Sequence, residues 1–384
     1  MNYRFDKPFA VGAPRVAAAM AIRAVEVVQS VQRIGNRVPL IAGKDTVVRV
    51  YPDPNGLAGP IELTCELSWR REVGGGAAYL PTVNRLTVDP ATTPALLEQR
   101  GTLQGGFFAM LPAVATTPGD TIIRVTALRA VAGGHVIPAG NIETKVTFLE
   151  APPLRIRAVG LRYRSNGNIW SPQARHFDYL RSFLRRAYPV ASVEWSQIVV
   201  DANFAPPFDE FTSTRANAQL AAIRSVEVSN GTDPRTHYFG LVDDANGAHF
   251  MRGRATAIPG VPSPDTVASG PAGTPGGYSG DFDASYADWY GAHELGHTFG
   301  RYHPGFPSGQ QDASDPTFPY PDGRISDDAD AAVGFDVGDP TLGLPMRALP
   351  GTTHHDVMTY AERQWVSEYT FGAILTRLRL ENEL

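Results

Sequence analysis

Apolar and polar residues alternate along short segments of the first 150 residues, and this period of two predicts β-strands. The clearest segment is residues 61–69, I-E-L-T-C-E-L-S-W, which places Cys65 on the inner face of a strand. Runs rich in glycine, proline and asparagine, such as P-D-P-N-G at 52–56, predict turns between the strands. Further strands are predicted at 23–29, 46–51, 121–127 and 144–148. Short strands joined by such turns favour an all-β, immunoglobulin-like sandwich over residues 1–150.

The pattern changes after A-P-P at 151–153, where strand-like segments alternate with helical ones. Residues 172–188 carry apolar side chains three or four positions apart, which predicts an amphipathic helix. A second helix is predicted at 216–228, strands at 154–163, 193–201, 237–242 and 254–258, and a Gly/Pro/Ser-rich loop, either a flap or a plain connector, at 260–280. This alternation predicts an α/β or α+β domain over residues 154–384, so the chain is expected to be multidomain.

Composition limits the classes of function. The 384 residues are 43% hydrophobic, enough for two domain cores. The net charge is −5 with both signs interspersed, so we expect no nucleic-acid partner. No apolar run approaches the roughly 18 residues that span a membrane, so no transmembrane segment is expected. The single cysteine, Cys65, excludes a disulfide within the chain and is predicted to be a core thiol.

Residues 293–303, H-E-L-G-H-T-F-G-R-Y-H, contain the candidate chemistry. His293 and His297 are four positions apart in a predicted helix, so both imidazoles can reach one metal ion. Gly300 favours a backbone turn with positive φ, which lets His303 return to the same ion. Three histidine ligands with an open fourth position are typical of catalytic zinc. Ser285 and Asp288 have the spacing of a capping box at the start of this helix.

Glu294 follows His293 and lies about 100° further around the helix. It is poorly placed to join the ligand set, yet close enough to accept a proton from a metal-activated water. We therefore expect Glu294 to act as a general base and afterwards as the acid that protonates a leaving amine. These residues predict a zinc metalloendopeptidase that hydrolyses peptide bonds in a protein or peptide substrate.

The segment 293–303 resembles the signature of the metzincin clan of zinc metallopeptidases. D-V-M-T-Y at 356–360 is similar to the methionine turn of that clan, and the local pattern is nearest to bacterial serralysin-like and astacin-like enzymes. The resemblance implies that Met358 forms an apolar floor beneath the metal, and that Tyr360 coordinates zinc or stabilises the transition state. It also implies an edge strand that pairs with an extended substrate, formed by Arg254, Ala255, Thr256 and Ala257.

Export from the cell is a further implication of the resemblance. The segment 1–7, M-N-Y-R-F-D-K, is a poor signal peptide, and the best apolar run nearby, residues 16–22, is short. Export by another route, retention inside the cell and a leader missing from this sequence therefore stay open, and the sequence makes no prediction about oligomeric state.

Several alternatives stay open. One is a narrow-specificity processing or toxin-type protease that targets glycoproteins through the same site. Another is a non-catalytic zinc-containing binding protein, against which the intact Glu294 argues.

A calcium site is a further hypothesis, because carboxylates are the ligands that calcium prefers. It would use the aspartates of the loop between 312 and 339, namely Asp312, Asp315, Asp322, Asp327, Asp328, Asp330, Asp336 and Asp339. The other interpretation of these residues is a solvated loop. His354 or His355 could line the cleft, and His237 and His249 are weaker ligand candidates.

Overall fold

The computed structural model describes residues 20–140, 142–206, 208–209, 211–245, 251–275, 281, 283–309, 314–326 and 332–384. Within these ranges the protein is a mixed α/β structure with many β-sheets and few helices. The strands are β1 (Ile22–Val28), β2 (Val31–Gln32), β3 (Leu40–Ile41), β4 (Val47–Pro52), β5 (Ile61–Arg71), β6 (Ala78–Pro81), β7 (Leu86–Val88), β8 (Phe107–Met110), β9 (Gly119–Ala130), β10 (Val136–Ile137), β11 (Ile142–Leu149), β12 (Leu154–Ser165), β13 (Asn168–Trp170), β14 (Val193–Asp201), β15 (His237–Asp243), β16 (Arg254–Ala255), β17 (Ala268–Ala272), β18 (Val333–Asp336), β19 (Arg347–Leu349), β20 (His355–Asp356) and β21 (Gln364–Trp365). The α-helices are α1 (Leu96–Arg100), α2 (Ala174–Ala187), α3 (Thr212–Ser229), α4 (Ala287–Thr298) and α5 (Glu368–Glu381), with short 3₁₀ helices at Leu103–Gly105, Ala113–Ala115, Pro321–Gly323 and Pro340–Leu342. Among the described residues, no helix is both long and apolar enough to cross a membrane.

Two β-sheets share one hydrophobic core in the first half of the chain. Strands β1, β4 and β8 form an antiparallel sheet, and a second sheet has the order β3-β11-β9-β5-β6, with β7 and β10 paired to β5 and β9. Val48 of the first sheet and Leu63 and Phe148 of the second lie in the same buried cluster. Cys65 is buried in this cluster as predicted, and burial raises the pKa of its thiol to about 12.

A mostly parallel sheet forms the centre of the second half, in the order β14-β12-β15-β17-β16, and β13 pairs antiparallel with the end of β12. Strand β16 is antiparallel to β17 and lies at the end of this order, with Arg254 opposite Ser269 and Ala255 opposite Ala268. Phe239 of β15 packs in a core with α2 and α4, whereas the adjacent Tyr238 packs with α3. Both faces of the sheet are therefore covered, as is usual for parallel strands.

The sequence-based prediction was wrong for part of the stretch 260–280, because it contains β17, parallel to β15. The strand packs closely against α4, since a Cβ on Gly270 would be in van der Waals contact with the Tyr290 ring at 3.4 Å and with Phe239 at 3.5 Å. The composition A-S-G-P-A resembles a loop, yet all five residues are buried. Neither a flap nor a plain connector describes them, and residues 276–280 lie outside the described ranges.

Ser30 connects the two halves of the chain. Its carbonyl accepts hydrogen bonds from Trp365 Nε1 and from Phe335 N, both at 2.7 Å, and its hydroxyl donates to the Arg186 carbonyl at 2.6 Å. Strand β2, which follows at once, pairs antiparallel with β18. The division into domains at 150 and 154 stays a prediction, and these contacts show that residues around Ser30 support the second half directly.

Candidate metal centre

Helix α4 carries His293 and His297 and ends shortly before Gly300, where the backbone conformation favours glycine. Gly300 has a φ of 77°, so the predicted turn with positive φ is confirmed. A Cβ at this position would also lie 2.6 Å from the Pro259 carbonyl oxygen. The chain therefore leaves the helix sharply and returns His303 towards His293 and His297.

Three imidazole nitrogens meet at one point. The Nε2 atom of His303 lies 3.2 Å from His293 Nε2 and 3.1 Å from His297 Nε2. The three residues are only 4%, 6% and 2% exposed for His293, His297 and His303, respectively. They form a group that could hold a metal ion.

Backbone carbonyls set the tautomers of the two helical histidines. His293 Nδ1 donates to the Val357 carbonyl at 2.8 Å, and His297 Nδ1 donates to the Arg301 carbonyl at 2.7 Å. Because a carbonyl oxygen only accepts, the proton lies on Nδ1 and each Nε2 keeps its lone pair for a metal. Burial, together with His297 and His303, also holds the pKa of His293 well below its usual value, which favours the neutral ligand form.

Glu294 lies beside this triad on the wall of a cavity of about 1070 Å³. It is 5% exposed, and His293, Trp289 and Tyr360 line the same cavity. The Tyr360 ring centroid lies 4.7 Å from that of His303 and 5.6 Å from that of His293. Tyr360 itself is 45% exposed. Glu294 and Tyr360 therefore line one cavity with His293, and Tyr360 is the more exposed of the two.

Met358 lies under helix α4. It is buried, and a Cβ on Gly296 would collide with its Sδ and lie 3.2 Å from its Cε. The turn that presents Met358 is held by Asp356, whose carboxylate accepts hydrogen bonds from Met358 N at 2.8 Å and Ser367 N at 3.0 Å. An apolar side chain thus supports the helix between its two histidines.

Replacing Gly296 with alanine should destabilise the protein, although alanine is usually the better helix former. The added methyl group would meet the Met358 thioether in a filled core, and overpacking costs about 1–3 kcal/mol. Thermal unfolding of Gly296→Ala would measure this loss. The matched control is Gly372→Ala in α5, where a Cβ meets nothing within 4 Å and stability should stay equal or rise. Equal behaviour of the two variants would contradict the contact with Met358.

The proposed substrate strand is shorter than the sequence predicted. Arg254 and Ala255 form β16, while Thr256 and Ala257 follow its end. Thr256 still continues the pairing, since its N–H donates to the Val267 carbonyl at 2.9 Å.

The other described histidine candidates lie outside the triad. His237 is buried, with its Nε2 2.9 Å from Glu381 Oε2 and its Nδ1 3.2 Å from Thr298 Oγ1. His354 lines the cavity, and burial lowers its pKa to about 4. His355 stacks on Phe306, and His249 lies outside the described residues.

The predicted capping box is wrong. Helix α4 begins at Ala287, two residues after Ser285, so Asp288 lies too early in the helix to complete the motif. Ser285 Oγ accepts from Ala287 N at 3.3 Å, and Ser285 N donates to Asp283 Oδ1 at 2.9 Å.

Sequence reasoning missed a second group of carboxylates. Asp281, Asp283 and Asp288 offer oxygens within 4.8 Å of one another and line the same cavity. Burial raises the pKa of Asp283 to about 6 and raises that of Asp288 well above its usual value. The spacing D-x-D-x-x-x-x-D before the helix was the available signal.

The described aspartates of the loop between 312 and 339 belong to no such group. Asp336 pairs with Arg186 and Arg347, Asp339 accepts from Ser182 Oγ at 2.7 Å, and Asp315 accepts from Tyr369 Oη at 2.7 Å. The residues Asp312, Asp327, Asp328 and Asp330 lie outside the described ranges. A calcium ion in this loop stays a prediction.

No protein-family model matches this chain, and no curated protein matches it either. The assignment of a function therefore depends on the geometry of the site.

Proposed function

We propose that this protein is a zinc-dependent endopeptidase of the metzincin type. The observation that carries the proposal is the convergence of three histidine Nε2 atoms beside Glu294 and above Met358. His293, His297 and His303 would hold the ion, and their neutral nitrogen donors suit zinc. Bound there, zinc supplies a Lewis acid that acidifies water and polarises the scissile carbonyl.

Glu294 would move the protons of the reaction. Its carboxylate lies on the cavity wall next to His293, where it can take a proton from the attacking water and return it to the leaving amine. The burial of Glu294 limits the exchange of protons between its carboxylate and bulk water. Tyr360, adjacent to His303 and partly exposed, would donate its phenol hydrogen to the developing oxyanion. Met358 would pack against helix α4 and hold it in the position that aligns His293 and His297.

A protein or peptide fits the surroundings of the site. The cavity of about 1070 Å³ can accept a large side chain, and β16 ends the sheet as an edge strand. An extended peptide could add to this edge by main-chain hydrogen bonds. The immunoglobulin-like character of the first half, and its separation from the catalytic domain at 150 and 154, belong to the same proposal.

A protease of narrow specificity directed at glycoproteins would use the same residues, with selection by the first half and by the cavity. A non-catalytic zinc protein is the second class, and the placement of Glu294 on the cavity wall beside His293 disfavours it.

Cleavage of a peptide library by the purified protein, with and without a chelator, tests the proposal. We expect about one zinc ion per chain, cleavage that the chelator abolishes, and recovery when zinc returns. The fragments would also define the scissile bond. Zinc near one per chain without cleavage of any peptide or folded protein would instead favour the binding protein.

A further inference from the structure

The backbone of Gly253 lies directly against the carboxylate of Glu294. A Cβ on Gly253 would be 2.7 Å from Glu294 Cδ and would collide with Glu294 Oε1 and with Cε1 of Tyr290. Only glycine therefore fits between these two side chains. The main chain of the segment before β16 therefore packs directly against the side chain of the proposed base.

Tyr290 holds this segment in place. It lies one turn before Glu294 on the same face of α4. Its phenol oxygen accepts a hydrogen bond from Gly253 N at 3.0 Å. The other side of its ring faces β17, where a Cβ on Gly270 would lie 3.4 Å from Tyr290 Cδ1. The Tyr290 ring thus packs against the backbones of Gly253 and Gly270, and its phenol oxygen accepts from the Gly253 amide.

The edge strand begins at the next residue. Thr256 N donates to the Val267 carbonyl at 2.9 Å, so the backbone N–H of Thr256 points towards the neighbouring strand. In an antiparallel pair, residues that hydrogen-bond the neighbouring strand alternate with residues whose N–H and C=O point away from it. Ala255 therefore directs its N–H and C=O away from β17, to the side on which no strand of the described residues pairs with β16. Asn217 Nδ2 donates to the Arg254 carbonyl at 2.9 Å and helps to fix the strand.

We propose that Tyr290 is a positioning residue for substrate binding: by holding the Gly253 amide, it sets where β16 starts relative to Glu294. The inference depends on the proposed peptidase function and on the proposed pairing of an extended peptide with β16, and it adds the residue that positions this strand. The main chain of the substrate, rather than one side chain, would then align the scissile bond with the base. A shorter substrate that does not reach β16 gains nothing from Tyr290.

Substitution Tyr290→Phe removes the phenol oxygen and keeps the ring. For a cleaved peptide of about ten residues we expect KM to rise about 3- to 10-fold, the range of one lost hydrogen bond, with kcat within about 2-fold. For the shortest cleaved fragment of that peptide, KM should not change. Zinc content should also match that of the unmodified protein. If Tyr290 only supported the fold, the substitution would change the kinetics of both substrates alike.

The matched control is Tyr286→Phe, one turn earlier on the chain. It also removes a phenol hydrogen bond, donated to Asp244 Oδ2 at 2.9 Å, without touching Gly253. Its KM values should stay unchanged. An unchanged KM in Tyr290→Phe, or the same rise in Tyr286→Phe, would overturn the positioning role.

Gly253→Ala tests the same contact by changing Gly253 instead of Tyr290. The methyl group would displace both Glu294 and the start of β16, so kcat should fall for both substrates and KM should rise for the long one. Kinetics equal to those of the unmodified protein would overturn the inference even if Tyr290→Phe did not fold.

Calorimetric binding of the long peptide separates the inference from the function on which it depends. Glu294→Ala should bind the peptide without cleaving it, and Tyr290→Phe/Glu294→Ala should bind it about 3- to 10-fold more weakly. Equal affinities would overturn the positioning role and leave the peptidase function standing. Absence of binding to Glu294→Ala would overturn both.

Discussion

Glu294→Gln should abolish most peptide cleavage while the protein keeps its zinc and its fold. Glutamine has nearly the same shape, so the neighbours Gly253 and Tyr290 stay in contact. Its amide cannot accept the proton of the attacking water or return it to the leaving amine. We expect kcat/KM to fall about 10²- to 10⁴-fold, the usual contribution of a general base. Kinetics on a cleaved peptide and elemental analysis of the same preparation would measure both quantities.

Glu362→Gln is the matched control, because Glu362 lines the same cavity and is exposed. This variant should cleave the peptide within about 3-fold of the unmodified rate, because the interactions of an exposed charge are weakened by solvent. The role of Glu294 would be refuted by a Glu294→Gln protein that cleaves as fast as the Glu362→Gln control. The base would then have to be another group on the cavity wall.

His303→Ala should remove the metal and, with it, the activity. Of the three proposed ligands, His303 alone lies outside helix α4, and its Nε2 is within 3.2 Å of both other Nε2 atoms. Substitution of a residue that hydrogen-bonds a metal ligand typically lowers the affinity for the metal about 10- to 100-fold. Loss of a ligand itself should therefore lower the affinity for zinc at least about 100-fold. Zinc titration against a competing chelator would measure the affinity directly.

Thermal unfolding supplies a readout that needs no substrate. A ligand that binds only the folded state stabilises it, by about 2.7 kcal/mol when present at 100 times its Kd. Zinc should therefore raise the Tm of the unmodified protein and have little effect on His303→Ala. The control is His355→Ala, whose ring stacks on Phe306 outside the triad and whose zinc response should persist. Undiminished zinc affinity in His303→Ala would show that the triad is not the binding site.

Local sequence patterns predicted much of the second half correctly. The helix predicted at 172–188 is α2, and the strand predicted at 193–201 is β14 without any change of bounds. The turn at Gly300 was also predicted, because positive φ favours glycine wherever it occurs. These features follow from the spacing or backbone preference of neighbouring residues, so a single chain is enough to recognise them.

Strand β17 could not be recognised in the same way. Its small residues give no hydrophobic period, and its burial results from the Tyr290 ring of α4 and from pairing with β15. The capping box failed for a different, local reason, since Ser285 N donates to Asp283 Oδ1 two residues earlier and α4 begins only at Ala287. In β17, by contrast, contacts outside the local pattern decided the conformation.

The sequence by itself determined the donor set of the site: His293 and His297 one helical turn apart, a glycine that turns the chain, and His303 behind it. That much is local, because helix geometry and the preference of glycine for positive φ act over a few residues. The segment D-V-M-T-Y pointed to Met358 and Tyr360 by resemblance, but only the tertiary structure decided the contacts around the donors: Met358 against Gly296, Tyr360 beside His303, and the Gly253 backbone against Glu294. These pairs are far apart in the chain and meet through the packing of helix, sheet and turn, where a fit within a fraction of an ångström is set by all neighbours together.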